Sequence, residues 1–385
     1  MSIDTNFMIG QNRQQKEGFK AFIPEPFPQA GLFEHTATII KKDAQASHLL
    51  GKLDGITQLL PDVIFFILMY IRKDATASSQ IEGTKATMVD ALEAGAKIDS
   101  DVPVDVDDIL HYIKALNYGM DRLKEFPLSL RFIREIHQEL MDKARSTHFS
   151  DPGNFRKSQN WISGKSPADA EFVPPPVADM HQALSDLEKF LHAEDTMPSL
   201  VKTALIHAQF ETIHPFLDGN GRTGRMLVTF YLWKEGLLEK PVLFLSSYFK
   251  KYKKIYYQRL TGYREEKVEK WIEFFLDGII ETAESAIETV KKITVLREQD
   301  IGKISAMNKT SSESALKILP KLFAQPIVTV GIVQKWAGFT TRTGAQKLID
   351  RFIEKGIMEI KDETKKYGRT YVYRKYLDIF EKSLA

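Results

Sequence analysis

The run Leu200–Ile213, LVKTALIHAQFETI, places apolar side chains at three- and four-residue spacing, the period of a helix. It passes without a break into His214–Arg225, HPFLDGNGRTGR. Inside that stretch Gly219-Asn220-Gly221-Arg222-Thr223-Gly224 matches the G-x-G-x-x-G pattern of dinucleotide-binding folds. Those folds require a strand before the first glycine, and here a helix feeds it, so a doubly wound parallel sheet is excluded. A GK[ST] signature is absent too, which excludes the other common phosphate-binding sheet. What survives is the physics the motifs share. A glycine-rich turn opening a helix aims free backbone N–H groups and the positive end of the helix dipole at an anion.

The rest of the body is predicted to be helical. Val63–Met69, Ile109–Leu123, Leu130–Met141 and Met180–Leu191 share the same periodicity, as do Thr223–Glu235, stopped by Gly236, and Val268–Glu298, long enough to connect to a further unit. Strand signals are few before residue 300. The exception is Trp161–Val177 (WISGKSPADAEFVPPPV), where β-prone runs flank a turn and Pro174–Pro176 end the segment, which reads as a small hairpin or flap. Further on, Ser314–Phe323, Val330–Ala337 and Thr343–Lys355 read as three short helices. Ile357–Lys361 and Thr370–Arg374 read as a hairpin turning at Lys365-Lys366-Tyr367-Gly368, the order of a winged helix-turn-helix. The fold class is therefore mostly α, and 385 residues suit two or three domains.

Charge divides the chain in the same place. Residues 301–385 carry 16 Lys/Arg against 8 Asp/Glu, and the preceding 300 carry 37 against 43, so a basic tail follows a mildly acidic body. Cysteine is absent, which excludes disulfides, thiolate metal sites and cysteine nucleophiles. The longest apolar run, Val63–Ile71, is too short to span a bilayer and reads as a buried helix. The opening MSIDTNFMIGQNRQQKEG lacks the pattern of a signal peptide, so a cytoplasmic location without membrane partners is expected.

His214 and Asp218 lie on the turn that enters the glycine nest. Taken singly, His214 reads as readily as a helix cap and Asp218 as a turn residue. Grouped with the glycines, they suit a different chemistry. A histidine beside a bound phosphate can take a proton from an attacking hydroxyl. A carboxylate four residues on can hold Mg²⁺, which binds through one or two carboxylates plus phosphate oxygens. Arg222 and Arg225, one turn apart, supply positive charge suited to phosphate oxygens.

HPFLDGNGRTGR fits HPFx[DE]GNGRxxR, the signature of the Fic family, at every fixed position, and on these residues the chain resembles that family. The resemblance covers roughly residues 30–290. It implies an all-helical core using ATP and Mg²⁺ to transfer AMP to a hydroxyl side chain of a target protein, the chain itself included. His214 would be the base, Asp218 the Mg²⁺ ligand, and Gly219, Asn220, Gly221 and Arg222 the anion hole leading through Thr223 and Gly224. Arg225 would meet the γ-phosphate. Asp151–Arg156 (DPGNFR) and Asn160-Trp161-Ile162-Ser163-Gly164 resemble the segment entering the family's flap, which pairs with the target backbone by strand addition. Tyr256-Tyr257 resemble the pair lining the adenine pocket, although aromatic core packing would account for them equally. Lys250–Lys254 reads as a solvated basic face.

A second motif lies upstream. Ser78-Ser79-Gln80-Ile81-Glu82-Gly83 has capping-box spacing at Ser79 and Glu82, but a helix beginning there would end almost at once at Gly83. The alternative puts Ser78 and Glu82 on one face of a short helix that Gly83 terminates. This fits [ST]xxxE[GN], the inhibitory motif of the same family. The resemblance implies that Glu82 pairs with Arg225 and denies it to the γ-phosphate, holding ATP in an unproductive pose. In some relatives the equivalent glutamate also positions water to remove AMP, and a few relatives transfer UMP, phosphate or phosphocholine instead.

The expected organisation is an N-terminal helical region (1–110) carrying the inhibitory motif, a Fic catalytic core (111–298) and a winged-helix-like domain (299–385). A homodimer is expected by resemblance. Arg342 and Lys347 on the helix expected to lie in a DNA groove would permit duplex binding by the tail, which carries the alternative reading, a transcription regulator with a nucleotide-sensing core.

Overall fold

The computed structural model describes residues 8–29, 31–58, 60, 63–98, 103–142, 151–365 and 367–381. It opens on a hairpin that the sequence does not announce. Strands β1 (Gly10–Gln14) and β2 (Lys20–Pro24) pair antiparallel with Gly10 opposite Pro24. Strand β1 is polar and largely exposed, so it lacks the alternation that reveals a half-buried strand. Helix α1 (Ala37–Gln58) follows, then α2 (Val63–Ile81). The second is far longer than the Val63–Met69 expected, and the inhibitory motif sits at the end of one continuous helix rather than on a short one of its own. The charged run Arg72-Lys73-Asp74 has the look of a boundary, but it is turned inward. Asp74 is buried and accepts from the Tyr112 hydroxyl at 2.7 Å and the Ser246 amide at 3.0 Å. After α3 (Met88–Gly95), whose N-cap Thr87 and Asp90 form a reciprocal capping box, come α4 (Val106–Arg122) and α5 (Leu130–Met141).

Next come α6 (Val177–His192), α7 (Ser199–Ile213) and α8 (Asn220–Lys234). Every residue of α7 from Leu200 to Ile213 is buried, so this helix is the axis around which the others pack. Short α9 (Ser246–Lys251) and α10 (Lys253–Arg264) lead to α11 (Val268–Ser305). At 38 residues α11 is about 57 Å long. It lies along α1, and its Trp271 indole donates to the Ala204 carbonyl of α7 at 2.8 Å. It runs past the expected end at Glu298 because Asp300 and Ile304 remain fully buried against the C-terminal tail.

The tail comprises α12 (Lys309–Ala324), β3 (Ile327–Thr329), α13 (Val330–Ala337), α14 (Arg342–Glu354), β4 (Glu359–Ile360), β5 (Thr370–Val372) and α15 (Arg374–Glu381). Asn308, Thr329 and Thr341 cap α12, α13 and α14 through their side chains. The strands form an antiparallel sheet in the order β3-β5-β4, so the expected hairpin is present but shorter. Lys366, in its expected turn, lies outside the described residues. Arg342 and Lys347 are exposed on α14. The tail packs on the body through α2, α3 and α11. Arg72 donates to the Ala324 carbonyl at 2.9 Å, Gln325 to the Leu92 carbonyl at 3.1 Å and the Tyr373 hydroxyl to Asp300 at 2.6 Å, while Lys361 pairs with the buried Glu93. One hydrophobic core runs through body and tail.

Candidate active site

The six residues between α7 and α8 carry the site. His214 ends α7 in the left-handed region (φ 49°), and Gly219 begins α8 there (φ 76°). A histidine suffers a steric penalty in that conformation, so something must hold it. Two buried side chains do. Arg156 donates from Nε to the His214 carbonyl at 3.0 Å and from Nη2 to the Pro175 carbonyl at 2.5 Å. Asn160 donates from Nδ2 to the carbonyls of His214 and Phe216 at 3.1 and 2.8 Å. Asn160 is thus a clamp on the loop rather than part of a flap edge. The loop closes on itself as Asn220 Oδ1 accepts from Phe216 N and its Nδ2 donates to Phe216 O, both at 2.8 Å.

From α5, His137 fixes the far end. Its Nδ1 accepts from the Gly153 amide at 2.9 Å, so the ring proton is on Nε2, which donates to the Asp218 carbonyl at 2.9 Å. Its ring stacks on Phe216 with centroids 3.7 Å apart, and burial pushes its pKa down to about 4.

His214, Asp218, Gly219, Asn220, Gly221 and Arg225 all line one cavity of about 400 Å³, together with Glu82, Glu211 and Arg264. Burial, reinforced by the positive charges of Arg264 and Arg156, lowers the His214 pKa to about 4. Its imidazole is therefore neutral near pH 7, the form a general base needs. Nδ1 is sealed inside the protein, so Nε2 is the nitrogen that can reach a substrate. The Asp218 carboxylate accepts from its neighbouring Gly219 amide at 2.6 Å and is 40% exposed. Among the described residues no group of three acidic or histidine side chains could hold a metal alone. One carboxylate at a glycine nest does fit a hard cation that takes the rest of its oxygen shell from phosphates and water.

Arg222, Thr223 and Gly224 lie behind this surface. The Arg222 guanidinium is buried beside Asp108 and Asp218, 3.8 Å from each, and beside the Met141 sulfur. A side chain at Gly224 would meet Glu211, so this glycine permits helix packing rather than facing the cavity. Arg225 faces the site. Its Nη2 donates to Glu82 Oε1 at 2.7 Å and to the Ser78 carbonyl at 3.1 Å, and its Nε donates to Ser78 Oγ at 2.8 Å. Burial works against its charge, yet Glu82, Tyr256 and Glu211 together hold it more firmly protonated than a free arginine.

Glu82 follows the last residue of α2. Gly83 (φ 103°) donates to the Gln80 carbonyl and Thr84 to that of Ser79, the paired bonds of a Schellman motif. A carboxylate at the negative end of a helix dipole is unfavourable by itself, and cations gather to offset it. Lys253 donates to the Ile81 carbonyl at 2.6 Å and Lys250 to Gln80 Oε1 at 2.6 Å. Both lysines grip α2, Lys250 from a half-buried position, while Lys251, Lys253 and Lys254 remain exposed as a solvated basic face would be.

The flap is slighter than a hairpin. Ile162 and Phe172 form a single bridge, with Trp161, Ile162 and Ser163 on the cavity rim. Arg264 stacks its guanidinium 3.7 Å over the Phe172 ring beneath it. Tyr256 and Tyr257 both reach the cavity but differ in setting. Tyr256 is buried, its hydroxyl donating to His207 Nε2 at 2.8 Å while His207 Nδ1 donates to the Gly224 carbonyl at 3.0 Å. Tyr257 is 42% exposed.

Sequence reasoning misses His137, Arg264 and Glu211, and it places Arg156 in the flap-entry stretch without its role under the loop. Glu211 leaves the clearest trace, an acid inside an otherwise apolar helical run three residues before His214. It is buried, one carboxylate oxygen lacks a partner, and burial raises its pKa to about 7.

Comparison with known proteins agrees with this architecture. Residues 127–232 match the Fic/DOC family model and residues 40–121 the Fic/DOC family N-terminal model. A probable protein adenylyltransferase of Aquifex aeolicus is 32% identical over 194 residues, covering 48% of this chain and 54% of that protein. The protein adenylyltransferase Fic of Drosophila erecta is 27% identical over 206 residues, covering 51% of this chain and 38% of that protein. The chain thus spans about half or less of these relatives' length. A solved Fic family protein from Desulfovibrio desulfuricans G20 superposes with a TM-score of 0.59 at 18% identity, over 90% of this chain and 98% of the other. A Fic domain containing signaling protein from Bacteroides thetaiotaomicron gives 0.54 at 19% identity, over 64% and 97%. At those identities the likeness concerns the fold. Matched by the two models between residues 40 and 232, and folded as a helical body around the HPFLDGNGRTGR loop, the chain belongs to the Fic/DOC family.

Proposed function

We propose that this protein is an autoinhibited protein adenylyltransferase that transfers AMP from ATP to a Ser, Thr or Tyr hydroxyl, its own included. The observation that carries this reading is the convergence of a neutral His214, Asp218, the glycine nest and Arg225 on one cavity, with Glu82 on Arg225. The target hydroxyl oxygen bonds to the α-phosphorus, the bond from that phosphorus to the α–β bridging oxygen breaks, and pyrophosphate leaves. His214 Nε2 takes the hydroxyl proton as the new bond forms. The amides that open α8 and the Arg225 guanidinium stabilise charge on the polyphosphate in the positions they already occupy. Mg²⁺ bound at Asp218 would supply charge neutralisation between phosphate oxygens. The exposed rim at Trp161–Ser163 suits a target backbone added alongside the flap, which reads side chains loosely.

Glu82 makes the resting state. Its carboxylate occupies the guanidinium face that a γ-phosphate needs and adds negative charge where the triphosphate would lie. Labelled ATP with Mg²⁺ tests both halves. Glu82→Gly is expected to raise AMP incorporation roughly tenfold or more, a factor equivalent to about 1.4 kcal/mol. Adding His214→Ala should abolish it. An intact mass for the Glu82→Gly protein that never gains an adenylyl group would remove the reading.

A further inference from the structure

Asp74, Ser78 and Glu82 stand four residues apart and so share one face of α2 and its end. Glu82 is expected to leave Arg225 when the enzyme works, which raises the question of what then keeps the arginine aimed. We propose that Asp74 and Tyr112 are positioning residues for Arg225, acting through Ser78 as a buried hydrogen-bonded chain that survives the departure of Glu82. The proposal rests on the reading of the cavity as an AMP-transfer site.

The direction of each bond is forced by what each group can do. Arg225 Nε can only donate, and it donates to Ser78 Oγ at 2.8 Å. The Ser78 hydroxyl proton must then go elsewhere, and on this account it goes to the Tyr112 hydroxyl, whose charged form Ser78 favours. Tyr112 gives its own proton to Asp74 Oδ2 at 2.7 Å, so its oxygen is free to accept. Asp74 closes the chain as an acceptor, with Oδ1 taking the Ser246 amide at 3.0 Å. A cation at one end and a carboxylate at the other orient every hydroxyl between them. All four side chains are at least 96% buried, so water does not compete for these bonds. Burial raises the Asp74 carboxyl, while the bonds from Ser246 and Tyr112 and the charge on Arg225 pull the other way.

The chain grips Nε, whereas Glu82 takes Nη2. Withdrawal of Glu82 therefore frees one Nη2 N–H, while Nε stays anchored on Ser78 Oγ and Nη2 keeps its bond to the Ser78 carbonyl. On this account α2 has two opposed effects on one arginine. Its end blocks the guanidinium, and its last two turns hold it in place.

The test uses the full chain carrying Glu82→Gly as reference. Tyr112→Phe removes only a hydroxyl and keeps the ring packing, and Asp74→Asn is the second variant. Each is expected to raise KM for ATP about tenfold with a smaller change in kcat, the size expected for losing one bond to a charged group. That increment should vanish when Arg225 is already Lys, because the chain then has no guanidinium to orient. A role in packing alone would lower the melting temperature and persist in the Arg225→Lys background. A second measurement needs no ATP. With ¹⁵N-labelled arginine, the Arg225 Nε–H resonance should exchange slowly in the reference and at least about tenfold faster after Tyr112→Phe. An unchanged Nε–H resonance, or a KM effect that remains additive with Arg225→Lys, overturns the proposal. Absence of AMP incorporation in the reference would overturn the enzymatic reading instead, and the resonance would still decide this one.

Discussion

At the scale of the residue, His214 is defined by what surrounds it. Burial and two arginines lower its pKa to about 4, so it titrates well below the pH at which a free histidine does. The acid limb of kcat/KM for the Glu82→Gly protein should therefore lie near that value. Activity is expected to stay level from pH 8 down to about 5 and to fall below it. A midpoint near the ordinary histidine value would mean that His214 is not the base. The same burial makes the fold acid-sensitive. His137 and His207 are lowered to about 4 and about 3, so between those values and the unfolded pKa the unfolded chain binds more protons. The melting temperature is expected to be level above about pH 6.5 and to fall as pH drops through that window. Of these settings the sequence displayed the residues of the loop, and it showed Arg156 and Asn160 only as parts of the stretch entering the flap, not as the clamp. Arg156 looks like any surface arginine until the chain folds it under the His214 carbonyl.

At the scale of the element, helix ends decide where the chemistry sits. The sequence carried α5 and α13 to the residue and α6, α7 and α8 to within three, because periodicity and caps agree there. It shortened α2, since charge in the middle of an apolar helix looks like an end unless the partners of that charge are known. Gly83 makes the end of α2 sharp, and its φ of 103° is costly for a residue with a Cβ. Gly83→Ala is expected to cost about 1 kcal/mol of stability and to loosen Glu82 on Arg225. AMP incorporation should rise above the wild-type rate while remaining below that of Glu82→Gly. A rate unchanged from wild type, with a lowered melting temperature, would show that the turn does not govern the inhibitory pair.

At the scale of the whole molecule, the basic tail is joined to the body by a buried seam. Tyr70 of α2 meets the ring of Phe380 edge-on at 5.6 Å, and Arg72, one turn from Met69, reaches the Ala324 carbonyl. Ending the chain after Met307 would expose that face of α2 together with Asp300 and Ile304 of α11. The melting temperature should drop by at least about 5 °C, since burying several large apolar side chains contributes a few kcal/mol. A truncated protein melting with the full chain would mean that the seam carries little energy. Among the described residues no helix is long and apolar enough to cross a membrane. The sequence by itself determined the helical class, the glycine-rich loop with His214 and Asp218, and the motif around Glu82, because these depend on local periodicity and on residues close together in the chain. The tertiary structure placed the Glu82–Arg225 pair, implied beforehand only by the resemblance, across 143 positions, and it alone decided that Arg222 lies beside Asp108 behind the cavity, that Tyr112 bonds Asp74 and that Ser78 holds Arg225. Those outcomes depend on which buried polar groups find partners, and a buried group's partner is set by packing between elements, which no spacing along the chain encodes.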